Sequence, residues 1–493
     1  MSKTGDSPCS SHNTLASVSK QEKVYQFIEN AGKFGGKHTY KCLNGKIIKS
    51  SEGIASSVTF FLKDLFKQIF LPVGFPESVS DDYVSYQIWD TIQAFCSTIT
   101  GTFTTQSILK SVGVGDQTAT ALGAAITWII KDGSGLGGRI LFVWWHGNSL
   151  DSDCKTWRMF ADIINDCALT IEFTLPYWAL KSNTGLLCLT SVMKSIVGVA
   201  GGATRAAITQ HQAVQGNMAD VSAKDGSQET CVNLLASILG IFLLTYFENN
   251  EVYLAVIFAF LTVMHIFANY KAIHGLTFKH LNLPRFLIVF NNYLKYDAVA
   301  NPTVVNKAES IFFPNSYLCG FTITMGSSLQ KPFKTLHADR LNLIMKAFKG
   351  QKYIIVPEMK KRILYVAFDQ SIDSELMIRA YFHAIMLGKA LLIYNNILLD
   401  SKTKRHIHHV TPTQRLHNLM KKLVRSPVSE NMEMFTLEHF IIFNVYIHAE
   451  ALSFFTGLSI NNWDLSRNSL PVGEWRCNLL NDDADCSTTK KDN

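Results

Sequence analysis

Lys131, Asp132 and Arg139 stand around Gly133, Gly135, Gly137 and Gly138 in the stretch KDGSGLGGR. Gly133-x-Gly135-x-x-Gly138 has the spacing of a dinucleotide fingerprint, in which a tight turn brings backbone amides against a pyrophosphate at a helix N-terminus. Such a site needs a strand before it, a helix after it and an acidic residue about 20 positions further on. ITWII is short enough for the strand, and Asp151 or Asp153 falls nearby. The preceding TATALGAA, however, has the pattern of continuous helix, and RILFVWW is more apolar than a phosphate-binding helix. A glycine-lined break in a helical bundle fits better, freeing backbone amides to hold an anion or letting another helix approach. With its charged neighbours it forms a candidate polar cavity or anion site. The plainer account pairs Asp132 with Arg139 or Lys131.

Lys194 and Arg205 lie in apolar, glycine-rich sequence, GLLCLTSVMKSIVGVAGGATRAAITQHQA. If that helix is immersed in lipid, an ionisable residue there is functional by default, with an inward acidic partner such as Asp162 or Asp166. If it is only bundle surface, Lys194 is an ordinary snorkelling lysine. A Schiff-base lysine for pyridoxal phosphate would need a desolvated amine and a phosphate cup, and nothing in the sequence singles one out. His406, His408 and His409 sit in a basic loop, and His383, His439 and His448 lack ligand spacing. No Ser-His-Asp or Cys-His arrangement, P-loop or His-Glu-x-x-His occurs. No catalytic, cofactor-binding or metal-ligating residue is therefore assigned, and a non-enzymatic protein with no cofactor is expected.

The elements that must position these residues follow from composition and pattern. Charged residues make up 17% of the 493, below the roughly 25% usual in soluble domains. Aromatics reach 11%, a combination that leans toward a membrane protein. The net charge of +7 is spread rather than gathered in one stripe, which argues against nucleic acid as a partner. The scattered cysteines include no Cys-x-x-Cys pair, so reduced, mostly buried thiols are expected. No Asn-x-Ser/Thr acceptor supports a large luminal face. The first residues lack a secretory h-region, and Asp6 and Glu22 suit a transit peptide poorly.

Residues 1–57 are expected to form a mostly disordered arm. Residues 58–71 suit an amphipathic helix that could lie on a membrane or pack on the bundle. A helix from Tyr83 is rich in small polar residues, a second runs to Ile130 and must break or bend at the glycines, and a third from Lys155 pairs Arg158 with Asp162. The fourth contains Lys194 and a GGATR break, and NMADVSAKDGSQET reads as a polar loop. Two apolar runs, 231–247 and 252–268, flank ENNE. Each is at the short end of a bilayer span, and the joint makes them an antiparallel helical hairpin, 231–268. Lys224 precedes the pair and Lys271, Lys279 and Arg285 follow it, so both outer ends, with the N- and C-termini, are expected in the cytosol. The helical domain spans 58–282 and a C-terminal α+β domain 283–475. In the latter the order of elements suits a split βαβ sandwich whose last strand is not evident. A disordered tail is expected over 476–493.

The stretches PVGFPESVSDDYVSYQIWDTIQAFCSTITG, GVGD, KDGSGLGGRILFVWW, KTWRMFADIIND and KSIVGVAGGATRAAITQHQA with NMADVSAKDGSQET resemble the root UVB-sensitive (RUS) family. Its members share a domain named for vitamin B6 photoprotection and homeostasis. The resemblance covers about residues 60 to 275 and the C-terminal region less distinctively. It implies a link to UV-B responses, seedling development, vitamin B6 homeostasis or auxin transport, as for plant members. Together these observations lead to a mainly α fold, a multi-helix, membrane-embedded N-terminal bundle with a smaller C-terminal α+β domain, in an intracellular membrane. The expected role is a carrier or binding protein in small-molecule homeostasis. Its expected partners are the lipid bilayer, a small polar or anionic ligand and a protein partner or homologue. The alternative is a membrane-anchored scaffold acting through the C-terminal domain.

Overall fold

Tyr25–Asn30 (β1), Lys37–Leu43 (β2) and Lys46–Ser50 (β3) form an antiparallel meander in which Phe27 faces Tyr40 and Tyr40 faces Lys49. The disordered arm expected over 1–57 is corrected there. HTYKCL alternates with the period of a strand, whereas KIIKS, with Ile47 and Ile48 adjacent, does not. The computed structural model describes residues 25–30, 37–43, 46–50, 65–111, 121–147, 150–178, 183–248, 250–312, 319–334, 336–399, 411–425 and 435–478. The outermost arm, GVGD, most of the 401–414 histidine loop and the tail beyond 478 lie outside these residues. Within the amphipathic stretch, 65–70 is helical, with the rings of Phe66 and Phe70 4.9 Å apart. The meander and this short helix belong to one compact unit, and residues 80–493 to another.

The second unit begins with Tyr83–Ser111 (α1), against which Cys154–Thr174, Met218–Tyr246 and Glu251–Gly275 pack. Its many threonines would leave hydroxyls unpaired in a buried helix, but Thr100, Thr102, Thr104 and Thr105 turn back on their own backbone, and Thr98 donates to Asn233 Oδ1 at 2.8 Å. Thr100 donates to Cys96 O at 3.1 Å, Thr102 to Thr98 O at 2.9 Å and Thr104 to Thr100 O at 2.7 Å. Ala121–His146 (α2), Cys154–Thr174 (α3), Thr184–Gln212 (α4), Met218–Tyr246 (α5) and Glu251–Gly275 (α6) complete the bundle. α5 and α6 contain the two expected apolar runs, and each leans chiefly on α1 rather than on the other.

Three expectations are overturned here. The glycines of α2 neither break nor bend it out of helix, GGATR lies inside an unbroken α4, and NMADVSAKDGSQET is the first part of α5 instead of a loop. Glycine costs a helix about 1 kcal/mol against alanine, a penalty that close packing can outweigh. A Cβ built on Gly138 would stand 2.7 Å from Val192 Cγ1, and one on Gly135 would stand 2.6 Å from Ser191 Oγ. These two glycines therefore let α2 seat on α4 at a distance other residues would forbid.

The C-terminal region starts with the short strand His280–Asn282 (β4), Leu283–Tyr296 (α7), capped by the Asn282 side chain, and Pro302–Ala308 (α8). Thr322–Met325 (β5), Ala338–Ala347 (α9), Tyr353–Glu358 (β6), Ile363–Asp369 (β7) and Ser374–Leu399 (α10) follow, close to the expected order. Then come Pro412–Arg425 (α11), Leu437–Ile460 (α12), Asp464–Ser469 (β8) and Arg476–Cys477 (β9). β7 lies between parallel β5 and antiparallel β6, and β9 supplies the further parallel pairing that the sequence left unseen. The core is aromatic: Phe286, Phe290, Phe382 and Phe454 are all buried, with Phe382 and Phe454 rings 5.0 Å apart. β4 pairs in parallel with β8, tying the start of this region to its end.

Candidate functional site

The bundle places polarity on the inside and grease on the outside. Leu136, Ile140 and Trp144 of α2, Leu234, Ile238 and Phe242 of α5, and Val256, Phe260 and Val263 of α6 are exposed. Gln87, Gln93, Asp162, Asp166, Thr204, Asp225, His265 and Asn269 are buried. Five helices among the described residues are long and apolar enough to cross a membrane: α4, α5, α6, α12 and most of α10. Of these, α10 is mostly buried within the C-terminal core, whereas α4, α5 and α6 are largely uncovered.

A partly enclosed cavity of about 340 Å³ lies between α1, α3, α4 and α5. Gly198, Gly201 and Gly202 of α4 form a wall without side chains, and Arg158, Arg205, Asp90, Asp225, Glu229 and Gln212 are among the polar groups around it. Arg158 donates to Asp90 Oδ1 at 3.1 Å and lies 3.9 Å from Asp162, the pair expected one helical turn apart. Arg205 Nε donates to Asp225 Oδ2 at 2.9 Å, and its other end meets Glu229 at 2.5 Å. Gln87 anchors Asp225 from α1 with a 3.1 Å hydrogen bond.

From cavity-lining Gln93 a hydrogen-bonded chain runs into α3 and α6. His265 Nδ1 is 2.8 Å from Asp166, and its Nε2 is 2.9 Å from the Gln93 amide nitrogen, which also reaches Asp162 at 3.3 Å. With Nδ1–H donating to Asp166, Nε2 is the acceptor for Gln93, so the two contacts fix one tautomer together. Asp166, His265, Gln93, Asp162, Arg158 and Asp90 thereby connect the bundle interior to the cavity.

Of the residues singled out in the sequence, Arg205 lines the cavity, Asp162 abuts it and Asp166 stands two links behind Gln93, through His265. Lys194 does not join them. Its partner is Glu172, which is fully buried, instead of Asp162 or Asp166, and it borders a separate groove with Thr98, Thr105 and Ile241. Arg205 likewise pairs with Asp225 and Glu229 rather than with the acids of α3. On α2, Lys131 sits 3.5 Å from Asp132 and over the Trp128 ring, as the plainer account expected, and Arg139 is exposed. Gly133 has open space beside it, while Gly135 and Gly138 serve the α4 contact. The glycine motif is thus mid-helix, with no strand before it. Asp90, Gln93, Gln212, Asp225, Glu229 and His265 escaped notice, although Gln87, Asp90 and Gln93 recur at helical spacing and His265 is alone in an apolar run.

A second polar cluster joins the bundle to the C-terminal region. Lys155 Nζ is 3.0 Å from Glu309 and donates at 2.9 Å to Asn306 Oδ1 and to Leu276 O. Arg285, 1% exposed, donates from Nε to Glu309 at 3.1 Å, and Asn282 donates to the same carboxylate at 3.0 Å. Burial would raise the Glu309 carboxyl, but Arg285 and Lys155 hold it below its ordinary value. Burial, with Arg285 beyond, pushes the neighbouring His280 down to about 3. Among the described residues no group of three or more His, Cys, Asp or Glu side chains converges as a metal site would. Cys96, Cys154 and Cys319 are buried free thiols, and Cys167 and Cys231 are exposed ones.

An apolar-faced helical bundle with a charged, glycine-walled interior, backed by a small α+β region, is the class that these features define. The chain belongs to the root UVB-sensitive family: the family model for the vitamin B6 photo-protection and homoeostasis domain matches residues 58–297, and that for the root UVB sensitive protein C-terminal region matches 298–479. RUS family member 1 of Dictyostelium discoideum is 42% identical over 270 residues, 54% of this chain and 51% of that protein. The match thus spans about half the length of that relative. Protein root UVB sensitive 3 of Arabidopsis thaliana is 33% identical over 333 residues, 66% of this chain and 75% of the relative. Protein root UVB sensitive 2, chloroplastic, from the same plant is 26% identical over 344 residues, 69% of this chain and 77% of the relative. No solved structure matches the chain.

Proposed function

We propose that the helical domain is a membrane-embedded, non-enzymatic carrier or binding protein for a small polar molecule, acting in vitamin B6-type homeostasis. The inverted polarity of the bundle carries this reading. Apolar side chains such as Ile238, Phe242, Val256 and Phe260 face outward where water would penalise them, and ionised groups line an interior cavity. Lipid as the surrounding solvent reconciles both facts. In this arrangement α5 and α6 cross the bilayer as a pair, and Glu248 and Glu251 mark the turn on the far side from Lys224, Lys271 and Lys279. Arg285 drops out of that tally because it is buried in the Glu309 cluster. Both outer ends, and with them the N- and C-termini, then face the cytosol, and an intracellular organellar membrane is the setting, one relative being named chloroplastic.

Alkaline carbonate extraction, combined with protease protection of tags in the 247–250 joint and at the C-terminus, tests it. The chain should stay in the membrane pellet, with the joint protected and the C-terminus digested. A monomer that remains soluble without detergent overturns the reading. The second reading, an anchored scaffold, is supported by Ile441, Val445 and Leu452, which project from one exposed side of α12. It requires Val445→Glu to abolish activity in cells while cavity variants leave that activity intact.

A further inference from the structure

The charges around the cavity do not balance. Arg158 and Arg205 are each flanked by two carboxylates, Asp90 with Asp162 and Asp225 with Glu229. Two guanidiniums therefore face four acids, and both are already engaged. Next to them, Asp166 accepts a hydrogen bond from the neutral His265 ring, which adds no positive charge. An anion entering this space would meet excess negative charge and would have to displace an existing pair; a cation would meet an unmet demand.

A second, independent observation concerns hydrogen bonding. Gln212 is 2% exposed and lines the cavity, yet its amide nitrogen has no hydrogen-bond partner among the described residues, and neither does Arg158 Nε, whose Asp162 contact at 3.9 Å is too long for one. Buried donors of this kind call for an acceptor. The volume of about 340 Å³ is at the small end of ligand pockets and suits a molecule with a single ring.

We infer that the cavity takes a small organic cation or zwitterion. Its ammonium or pyridinium lies against Asp90, Asp225 and Glu229, and its hydroxyl or carbonyl oxygen accepts from Gln212 and Arg158. The site discriminates against phosphorylated forms of the same molecule. The inference rests on the carrier reading and narrows it, replacing the anion expected from the glycines of α2 by a ligand of opposite charge. Within the vitamin B6 group this selects the free amine over its phosphate ester.

Pyridoxamine and pyridoxamine 5′-phosphate differ only in the phosphate and form a matched pair of probes. Both are titrated by calorimetry at neutral pH into the full chain in lipid nanodiscs, with ethanolamine as a cation outside the vitamin group. Pyridoxamine should bind at least about tenfold more tightly than its phosphate ester, a lower bound for the repulsion of a phosphate that carries nearly two negative charges at neutral pH. Asp90→Asn and Asp225→Asn should weaken pyridoxamine by a similar factor. Because either variant could disturb folding, Asn233→Asp supplies the opposite test: an extra carboxylate on the cavity wall should tighten pyridoxamine binding. Equal or tighter binding of the phosphate ester, or weaker pyridoxamine binding by Asn233→Asp, overturns the inference and leaves the carrier reading standing. Binding of ethanolamine without either vitamer removes vitamin B6 and keeps cation selectivity. If none of the three binds, both fall.

Discussion

Replacing Glu309 by glutamine should uncouple the bundle from the C-terminal region. The carboxylate is the sole acid between Lys155 and Arg285 in the cluster described, with Lys155 and Glu309 side chains each 4% exposed. Glutamine keeps the shape and one acceptor for Asn282, Lys155 or Arg285, but leaves two cations facing each other without a counter-charge. Breaking a buried pair by removing one partner costs about 3–5 kcal/mol. Lys155 retains Leu276 O and Asn306 Oδ1, and Arg285 retains His280 O at 2.6 Å, so the lower end of that range is expected. Urea denaturation in detergent, followed by tryptophan fluorescence, gives the loss. Adding Lys155→Met to Glu309→Gln removes one of the stranded cations and should recover about 1 kcal/mol or more, since residues sharing a network are non-additive. If Glu309→Gln shifts the midpoint no more than an exposed pair would, and Lys155→Met brings no recovery, the cluster does not hold the two regions together.

Gly138→Leu should lower stability by about 1–3 kcal/mol, because stiff Val192 cannot yield, whereas Gly133→Leu, with open space beside it, should not; thermal unfolding of both variants in the same detergent distinguishes them. Lys194→Met should destabilise far more than Lys131→Met, since the former strands the fully buried Glu172 while the partner Asp132 is 70% exposed and worth at most about 1 kcal/mol. Protease resistance of the two variants should rank them in that order. His280 stays neutral in the fold down to about 3, while in the unfolded chain it takes up a proton below its ordinary 6.5. Stability should therefore fall as pH drops from 6.5 toward 3, and His280→Gln should flatten the upper part of that decline. The Glu309 carboxyl, ordinarily near 4.5 and lowered here, contributes stability above that value that is lost only as pH falls below it.

How much could be read from the residues alone depended on whether a signal was local. The apolar runs of α5 and α6 and the strands KYIIV and RILYVAF are legible because their periods lie within a few consecutive positions. The Arg158–Asp162 contact is legible for the same reason, being one helical turn. Asp225 is not, because its partners Gln87 and Arg205 are distant in the chain and a polar interior has the composition of a surface loop. The same confusion turned the start of α5 into a loop. Glycines mislead in the opposite direction: Gly135 and Gly138 lower helix propensity in isolation, and only the presence of Ser191 and Val192 explains why α2 continues through them. β9, two residues long, carries no pattern at all.

The parallel pairing of His280–Asn282 with Asp464–Ser469 constrains how the protein is made. A ribosome releases the first strand long before the second exists, so the seam stays unzipped through most of translation, with His280 and its neighbours waiting for their partner. Nascent chains halted short of Asp464 should consequently display an unfinished edge, a natural mark for chaperones and quality-control proteases.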